Sequence, residues 1–368
     1  MDFTLLFDQV ELDYDWKQLL PSDACYHSIY VNEENFPDLE NMDIALFSID
    51  DNRATTNQVL DASNIRKQFY QLRKSNAHYR IVDLGCLRPG PSYLDTILRF
   101  KEVSSYLLSN NILPIIINCS QDFVFHTYQL MVDESIVSKV NLAIIDSKLD
   151  ILSQGNEDQT FVNQILGYKI ERLARFKLLG YQSYLNSAEI KLVFDRLAFE
   201  ELRLGALKKD IFAAEPVLRN ADIVSFDVQA IKHQECPANA TYSPYGLSAE
   251  EAAQITWFAG LGNRMKCFLF SGFYDNEDHN LLSANGMAIQ IWYLIEGFYS
   301  RTKENLETDV FEYIIENQNF AEPLKFVKSK KSDKWWIFLN NEFIPCLYAD
   351  YLKANTGELP EIWLREQW

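Results

Sequence analysis

The stretch NLAIIDSKLD, from Asn141 to Asp150, is an apolar run that ends in two acids and a lysine. The run NLAII has the length and apolar character of a strand that is buried on both faces of a parallel sheet. Asp146, Lys148 and Asp150 follow at every second position, so in an extended chain two carboxylates and one ammonium would point the same way. The stretch therefore predicts a buried strand with a cluster of charges at its carboxyl end.

Similar apolar runs recur along the chain, and a segment of helical period follows each of them. They are IALFSI (44–49), RIVDLG (80–85), LPIIIN (113–118), FKLLGY (176–181), ADIVSFDV (221–228) and CFLFSGF (267–273). Ser248 with Glu251 is the pattern of a capping box at the start of one of these helices. Buried strands that alternate with helices predict a three-layer α/β/α sandwich around a mostly parallel sheet.

The two ends of the chain depart from this pattern. Residues 1–40 are rich in acids and tyrosine, and we interpret them as an N-terminal arm on an α/β domain of residues 41–305. Residues 306–368 alternate apolar and polar positions around two turns, which predicts a small antiparallel β-hairpin appendage at the C-terminus.

The C-terminal appendage is unusually rich in tryptophan. It contains Trp335, Trp336, Trp363 and Trp368. Clustered aromatic side chains form either a packed core or a surface that a partner covers. A protein partner that binds this Trp-rich element is therefore one hypothesis for the appendage.

The composition excludes several kinds of partner. The chain has 368 residues, with 34 Lys and Arg against 52 Asp and Glu, a net charge of -18 that repels nucleic acid and anionic membranes. No apolar run approaches the roughly 20 residues of a membrane helix, and the acidic N-terminus does not resemble a signal peptide. The six cysteines are scattered singly, as in reduced proteins. We expect a cytoplasmic protein without nucleic-acid binding or membrane insertion.

Three apolar runs end in polar segments. These are NCSQD (118–122), DSKLD (146–150) and SFDVQ (225–229). The carboxyl ends of parallel strands meet at one edge of a sheet, where α/β proteins bind their ligands. The three segments therefore predict that four carboxylates lie at one rim, namely Asp122, Asp146, Asp150 and Asp227.

The order and spacing of these three segments resemble the arginase or ureohydrolase family. YGLSAEEA (245–252) and IWYLIEGFYSR (291–301) are similar to stretches of its bacterial formimidoylglutamase-like members. The resemblance covers residues 41 to 305 and implies an arginase-like sheet. It also implies hydrolysis of a guanidino or amidino carbon by a hydroxide that bridges two manganese ions, held by the motifs G-G-D-H-S, D-A-H-x-D and S-x-D-x-D.

The resemblance is incomplete at the first two motifs. Gln121 stands where the family has a metal-binding His. Asp146 and Asp150 keep both carboxylates of the second motif, but Lys148 replaces its His. A protonated lysine cannot bind a metal ion, and it places a positive charge where the family holds a cation.

The third motif is also changed. Asp227 keeps one carboxylate, whereas Gln229 replaces the last ligand. In the segment SGFYD, Ser271 or Gly272 stands where the family has the Glu that binds the guanidinium of the substrate. The resemblance thus implies three surviving ligands out of six.

Charge counting leaves three interpretations of this rim open. Asp146, Asp150 and Asp227 with Lys148 leave about -2, which one divalent ion, or a proton with hydrogen bonds from the two glutamines, would balance. Lys148 is then either the centre of a structural salt bridge without any cofactor, or the neighbour of one Mn or Mg ion, or part of a working two-metal site. The single-ion ligands would be the oxygens of Gln121, Asp146, Asp150 and Asp227.

Two histidines are candidates for the surrounding pocket, together with Asp122 and Ser271. His126 lies in the helix predicted after Gln121, so it either reaches the rim or packs in the helix layer. His233 follows the third motif in the loop IKHQECP, where it lines the pocket mouth or faces solvent.

These patterns lead to three functional hypotheses. The first is an arginase-fold pseudoenzyme that has lost ureohydrolase catalysis and acts as a binding or assembly module. The second is a hydrolase of C–N bonds in linear amidines or guanidines, similar to formimidoylglutamase, with one metal or an altered site. The third is a small-molecule sensor that uses the old pocket. Family members form trimers and hexamers, and the helix-rich exterior of this chain permits a homo-oligomer without demanding one.

Overall fold

The computed structural model describes residues 3–55, 60–151, 155–187, 192–194, 196–197, 199–239, 241–320 and 322–365. Within these ranges, ten strands form one large sheet and four form a small one. The large sheet contains β1 (Phe7–Asp8), β2 (Tyr30–Val31), β3 (Ile44–Ser48), β4 (Ile81–Leu87), β5 (Leu113–Cys119), β6 (Val140–Ile145), β7 (Leu173–Tyr181), β8 (Glu200–Arg203), β9 (Ile223–Asp227) and β10 (Cys267–Ser271). The small sheet contains β11 (Val310–Ile315), β12 (Leu324–Ser329), β13 (Trp335–Leu339) and β14 (Glu342–Cys346).

The helices lie mostly between these strands. They are α1 (Tyr14–Gln18), α2 (Ser63–Gln71), α3 (Tyr93–Ser109), α4 (Phe123–Asp133), α5 (Glu157–Gly167), α6 (Leu204–Lys209), α7 (Ala214–Arg219), α8 (Ala249–Gly260), α9 (Leu282–Tyr299), α10 (Tyr348–Asn355) and α11 (Glu361–Arg365). The capping box predicted at the start of α8 is present, because Ser248 accepts from the backbone of Glu251 and Glu251 accepts from the backbone of Ser248.

The large sheet is almost entirely parallel, and each predicted apolar run is one of its strands. The strand order is β1-β4-β3-β5-β10-β9-β6-β7-β8, and β2 pairs with β4 beside this path. Only β1 runs antiparallel to its neighbour among these pairs. The order places the carboxyl ends of β5, β10, β9 and β6 side by side at the middle of the sheet.

Two apolar cores cover the two faces of this sheet. Ile44 and Leu46 of β3 belong to the core that packs on α2, α8 and α9. Ala45 and Phe47, which alternate with them, belong to the core that packs on α3, α4 and α5. Because successive strand residues point to opposite faces, one continuous apolar run supplies both cores. The three-layer sandwich predicted from the sequence is confirmed.

The small C-terminal sheet is a four-stranded antiparallel meander. Asn340 and Asn341 have φ values of 50° and 63°, which suit the two-residue turn between β13 and β14. Trp335 packs in the core of this sheet against Tyr351 of α10, and Trp336 packs on the opposite face. Trp363 packs against the first of these cores. Trp368 lies outside the described residues.

All six cysteines are free thiols, and five of them are buried. The five buried cysteines are distributed over three apolar cores. Cys25 and Cys236 lie on the α2, α8 and α9 side of the large sheet, Cys119 and Cys267 lie on the other side, and Cys346 lies in the small sheet. None of the helices in the described ranges has both the length and the apolar character needed to cross a membrane.

Candidate functional site

The candidate site lies at the carboxyl ends of four neighbouring strands. Gln121 follows β5, Asp146 follows β6, Asp227 ends β9 and Ser271 ends β10. All four side chains are at least nine-tenths buried. The parallel topology therefore brings three separate segments of the sequence to one rim, as the sequence predicted.

The chain turns at Asp146, so one detail of the sequence interpretation is wrong. Strand β6 ends at Ile145, although the backbone N–H of Asp146 still donates to the carbonyl of Leu179 at 2.9 Å. The Asp146 carboxylate then accepts from the backbone N–H of Lys148 at 3.2 Å, a local bond that bends the chain out of the strand. Asp146, Lys148 and Asp150 are brought together by this turn and not by the alternation of a strand.

Lys148 forms an ion pair with Asp150 within this turn. Lys148 Nζ lies 3.1 Å from Asp150 Oδ1, and the Asp150 side chain is 5% exposed. Burial raises the pKa of Asp150 to about 6, although the charge of Lys148 acts in the opposite direction. Burial alone would lower the pKa of Lys148, but Asp150 and Asp146 raise it above its usual value. Lys148 is therefore a cation at neutral pH.

The Asp146 side chain is fully buried at the rim. Its Oδ2 accepts a hydrogen bond from Gln121 Nε2 at 2.9 Å, and its Oδ1 faces the hydroxyl of Ser147 at 3.4 Å. Burial, together with the charges of Asp227 and Asp150, raises the pKa of Asp146 well above its usual value. One N–H group of the Gln121 side-chain amide is therefore used in a hydrogen bond to the Asp146 carboxylate.

The Asp227 carboxylate accepts hydrogen bonds from two neighbouring residues. Its Oδ1 accepts from the backbone N–H of Gln229 at 2.8 Å, and its Oδ2 accepts from the Ser271 hydroxyl at 3.0 Å. Gly272 has a φ of +78°, and a Cβ atom built there would lie 2.5 Å from Asp227 Oδ1. Burial raises the pKa of Asp227, and the backbone of Gln229 partly offsets this effect. Gln229 therefore acts on Asp227 through its backbone.

Asp122 and His126 form a second polar group beside the first. Asp122 is fully buried, and its Oδ2 accepts from the hydroxyl of Tyr93 in α3 and lies 3.4 Å from Nε2 of His126. Asp122 Oδ1 and His126 Nδ1 are buried and have no hydrogen-bond partner among the described residues. His126 thus packs in α4 and also contacts the acid that begins this helix.

Besides Tyr93, two further members of the site were missed from the sequence. Burial, together with Asp150 and Asp122, raises the pKa of Asp158 to about 7, so this acid of the first turn of α5 faces the rim. Tyr274 is buried next to the same acids, and burial with the charges of Asp227 and Asp158 raises its pKa. Tyr274 lies in the segment SGFYD, which the sequence had marked, whereas nothing in the local pattern distinguishes Asp158 from a helix-start acid.

His233 lies in a loop and contacts residues of the same loop. Its ring centroid is 4.9 Å from that of Tyr242, and its backbone N–H donates to the carbonyl of Ser243 at 2.8 Å. Its Nδ1 is buried without a hydrogen-bond partner among the described residues. The contacts described here do not join His233 to the carboxylates of the rim, so its place in a pocket stays a prediction.

The similarities of the chain to known proteins lie in its three-dimensional structure. No protein-family model and no curated protein sequence matches it. Formiminoglutamase of Trypanosoma cruzi with Mn²⁺ is similar in structure, with a TM-score of 0.63 over 73% of this chain and 97% of its own, at 19% identity. Formimidoylglutamase of Bacillus subtilis gives 0.67 over 79% and 94%, at 13% identity. Agmatine ureohydrolase of Thermoplasma volcanium gives 0.60 over 78% and 99%, at 17% identity. The chain therefore has an arginase-like fold, as predicted.

The rim combines one charged lysine with carboxylates that accept hydrogen bonds from the protein itself. A two-metal hydrolase needs several ligands for each ion and a bridging oxygen between them. Lys148 is charged here, and each of the carboxylates of Asp146, Asp150 and Asp227 already accepts from a protein donor. In the described part of the chain, no group of three or more His, Cys, Asp or Glu side chains could hold a metal ion.

Proposed function

We propose that this chain is an arginase-fold protein that binds ligands without hydrolysing them. In this proposal Lys148 and bound protons neutralise the rim where an arginase-type enzyme uses metal ions. The observation that carries the proposal is the ion pair between Lys148 Nζ and Asp150 Oδ1, 3.1 Å apart with the acid almost fully buried. Removing one partner of such a buried pair leaves an uncompensated charge, so the pair resists displacement by a metal.

The protonation of the other acids supports the same proposal. Burial raises the pKa values of Asp146, Asp150, Asp158 and Asp227. Part of the negative charge is therefore carried as bound protons near neutral pH, which reduces the need for a divalent cation. The ligand we propose is a small cationic molecule, because five carboxyl groups and one ammonium meet at this rim.

Metal analysis tests the proposal directly. The full chain, purified from manganese-supplemented medium, should hold well under one manganese per chain, and added Mn²⁺ should not raise its melting temperature. Lys148→Gln should bind Mn²⁺ about tenfold more tightly than the wild type, because its carboxylates lose a competing cation. Lys139→Gln makes the same charge change at the opposite, exposed end of β6 and should behave as the wild type.

Two results would contradict the proposal. Two equivalents of manganese in the wild-type chain would restore the two-metal interpretation. Release of urea or formamide from guanidino or formimino substrates, lost in Asp227→Asn, would show catalysis. A wild type and a Lys148→Gln variant with the same weak affinity for Mn²⁺ would show that Lys148 does not compete with a metal.

The second candidate is a hydrolase of linear amidines that works with one ion or an altered site. It is supported by the retention of Asp146, Asp150 and Asp227 at one rim of an arginase-type fold, since the solved structures of similar fold include formimidoylglutamase and agmatine ureohydrolase. One equivalent of bound manganese or magnesium, together with formamide or urea release, would favour this candidate over the first.

A further inference from the structure

A polar cavity lies at the amino end of the large sheet, on the side away from the candidate site. It has a volume of about 140 Å³, room for roughly four water molecules. Leu113 at the start of β5 and Lys266 before β10 line it from the sheet, and Arg301, just after α9, lines it from the helix layer. The carboxylate rim lies at the other end of these strands, so the two places are separate.

Arg301 is partly buried at this cavity and is incompletely satisfied. Its Nε donates to the carbonyl of Gly260 at 2.8 Å, and its guanidinium carbon lies 4.2 Å from the ring centroid of Phe298. Its Nη2 is buried and has no hydrogen-bond partner among the described residues. Buried polar groups are nearly always paired, so an unpaired guanidinium nitrogen at a cavity indicates a ligand that the chain itself does not supply.

The electrostatic surroundings of Arg301 agree with this interpretation. Burial lowers the pKa of Arg301 to about 10, and burial is the only cause found, so no carboxylate of the described residues compensates its charge. Burial likewise lowers the pKa of Lys334, and the charge of Arg301 lowers it further, although Glu215 and Glu304 act against this. A cation of this kind in a chain with a net charge of -18 lacks its counterion.

Lys266 adds a second cation to the lining. It is half-buried, and none of the ion pairs found among the described residues includes it. Asn263, which also lines the cavity, donates from its side chain to the carbonyl of Thr302 at 2.8 Å and thereby fixes the segment after Arg301. The wall of the cavity therefore combines a guanidinium, an ammonium and the Asn263 side chain, which is hydrogen-bonded to the segment after Arg301.

We propose that this cavity binds a small oxyanion, a phosphate or carboxylate group, that pairs with Nη2 of Arg301 and with Lys266. A guanidinium offers N–H groups in a fixed planar arrangement, which matches two oxygens of such a group. The repulsion of the whole acidic chain is screened beyond about 8 Å at physiological salt, so these two neighbouring cations determine the local potential. The site is independent of the function proposed for the rim.

Isothermal titration of the full chain with inorganic phosphate, and separately with acetate, tests this proposal at constant ionic strength set by sodium chloride. We expect saturable binding with one site per chain, and the tighter of the two anions identifies the ligand class. Arg301→Gln should weaken binding about tenfold or more, and Lys266→Gln should weaken it severalfold. Lys303→Gln removes an exposed positive charge two residues after Arg301 and should change the affinity less than about twofold.

The proposal is overturned if the wild type shows no saturable binding of either anion. It is also overturned if Arg301→Gln and Lys266→Gln bind as tightly as the wild type, or if Lys303→Gln weakens binding as much as they do, which would indicate general screening. If Arg301→Gln does not fold, Lys266→Gln decides the matter alone, since its half-exposed side chain can be changed without opening the core.

Discussion

Four acids of the rim, Asp146, Asp150, Asp158 and Asp227, bind protons more tightly in the folded chain than in the unfolded chain. Asp150 is almost fully buried, and its pKa rises from 3.8 to about 6, which corresponds to about 3 kcal/mol. For an acid whose pKa is raised by folding, the unfolded state loses its proton first as pH rises. Stability from this group is therefore greatest below about pH 4, falls as pH rises to about 6, and is constant above.

Asp158 allows this pH dependence to be isolated by substitution. Its pKa of about 7 means that the wild type should lose stability between about pH 4 and pH 7. In urea unfolding, Asp158→Asn should lose about 1 kcal/mol less than the wild type over this range, after allowance for screening of its partly exposed carboxyl. Glu157→Gln changes the exposed acid one residue earlier and should keep the wild-type slope. If the free energy of unfolding of Asp158→Asn fell with pH as steeply as that of the wild type, the raised pKa of Asp158 would be contradicted.

Gly272 is the residue whose substitution should disturb Asp227 most directly. Gly272→Ala adds a Cβ at 2.5 Å from Asp227 Oδ1 in a left-handed backbone conformation, so we expect a loss of about 2 kcal/mol or more in the free energy of unfolding. Gly286→Ala, in the middle of α9 where an added Cβ meets nothing, should instead stabilise by about 0.5–1 kcal/mol. If the two substitutions changed the free energy of unfolding equally in chemical denaturation, this result would argue against the crowding at Asp227.

At the scale of single residues, the sequence predicted those site members that follow strands. Gln121, Asp146 and Asp227 each come directly after an apolar run or end one, so parallel topology alone places them together. Asp158 and Tyr93 could not be found in this way. Both begin helices, and they reach the rim only through the packing of α5 and α3 on the sheet, which local patterns do not specify.

At the scale of elements, Arg219 of α7 joins the small sheet to the large domain. Its guanidinium carbon lies 4.3 Å from the ring centroid of Trp336, its Nη2 donates to the carbonyl of Trp335 at 3.2 Å, and its Nε lies 2.8 Å from Glu215 Oε1. The side chain is only 6% exposed, so this contact is desolvated and worth more than a surface ion pair.

Replacing Arg219 should loosen the small sheet before the rest of the chain. In Arg219→Leu, we expect amides of β13 to exchange with deuterium about tenfold faster or more, because a cation–π contact and a hydrogen bond of roughly 2 kcal/mol together are lost. Lys208→Leu removes a partly exposed ion pair with Glu251 and should leave β13 unchanged. Faster exchange throughout the large sheet, or none in β13, would contradict this assignment.

The end of β6 shows where pattern reasoning about an element fails. The period-two spacing of Asp146, Lys148 and Asp150 predicted a continued strand, but the Asp146 carboxylate captures the backbone N–H of Lys148 and bends the chain. An aspartate side chain competes with the neighbouring strand for backbone N–H donors. The spacing of residues does not indicate which of these two hydrogen bonds forms. The predicted proximity of the three charges still holds, because Lys148 Nζ lies 3.1 Å from Asp150 Oδ1 and both acids raise the pKa of Lys148.

At the scale of the whole molecule, the alternation of apolar runs and helices was sufficient to predict the architecture. Continuous runs such as IALFSI fill two cores at once, and only a sheet covered on both faces uses such a run. The order of the strands in the sheet could not be predicted in this way. β10 inserts between β5 and β9, a non-sequential arrangement that depends on how the long crossovers pack.

The positions of the free thiols allow the opening of individual parts of the protein to be measured by cysteine alkylation. Three of the apolar cores contain at least one buried cysteine. Burial raises the pKa of Cys25 and of Cys236 to about 12, so these thiols are inert while their core is closed. An alkylating reagent therefore records which core opens first. Cys346 would report the small sheet, Cys119 and Cys267 one side of the large sheet, and Cys25 and Cys236 the other, with no engineered label.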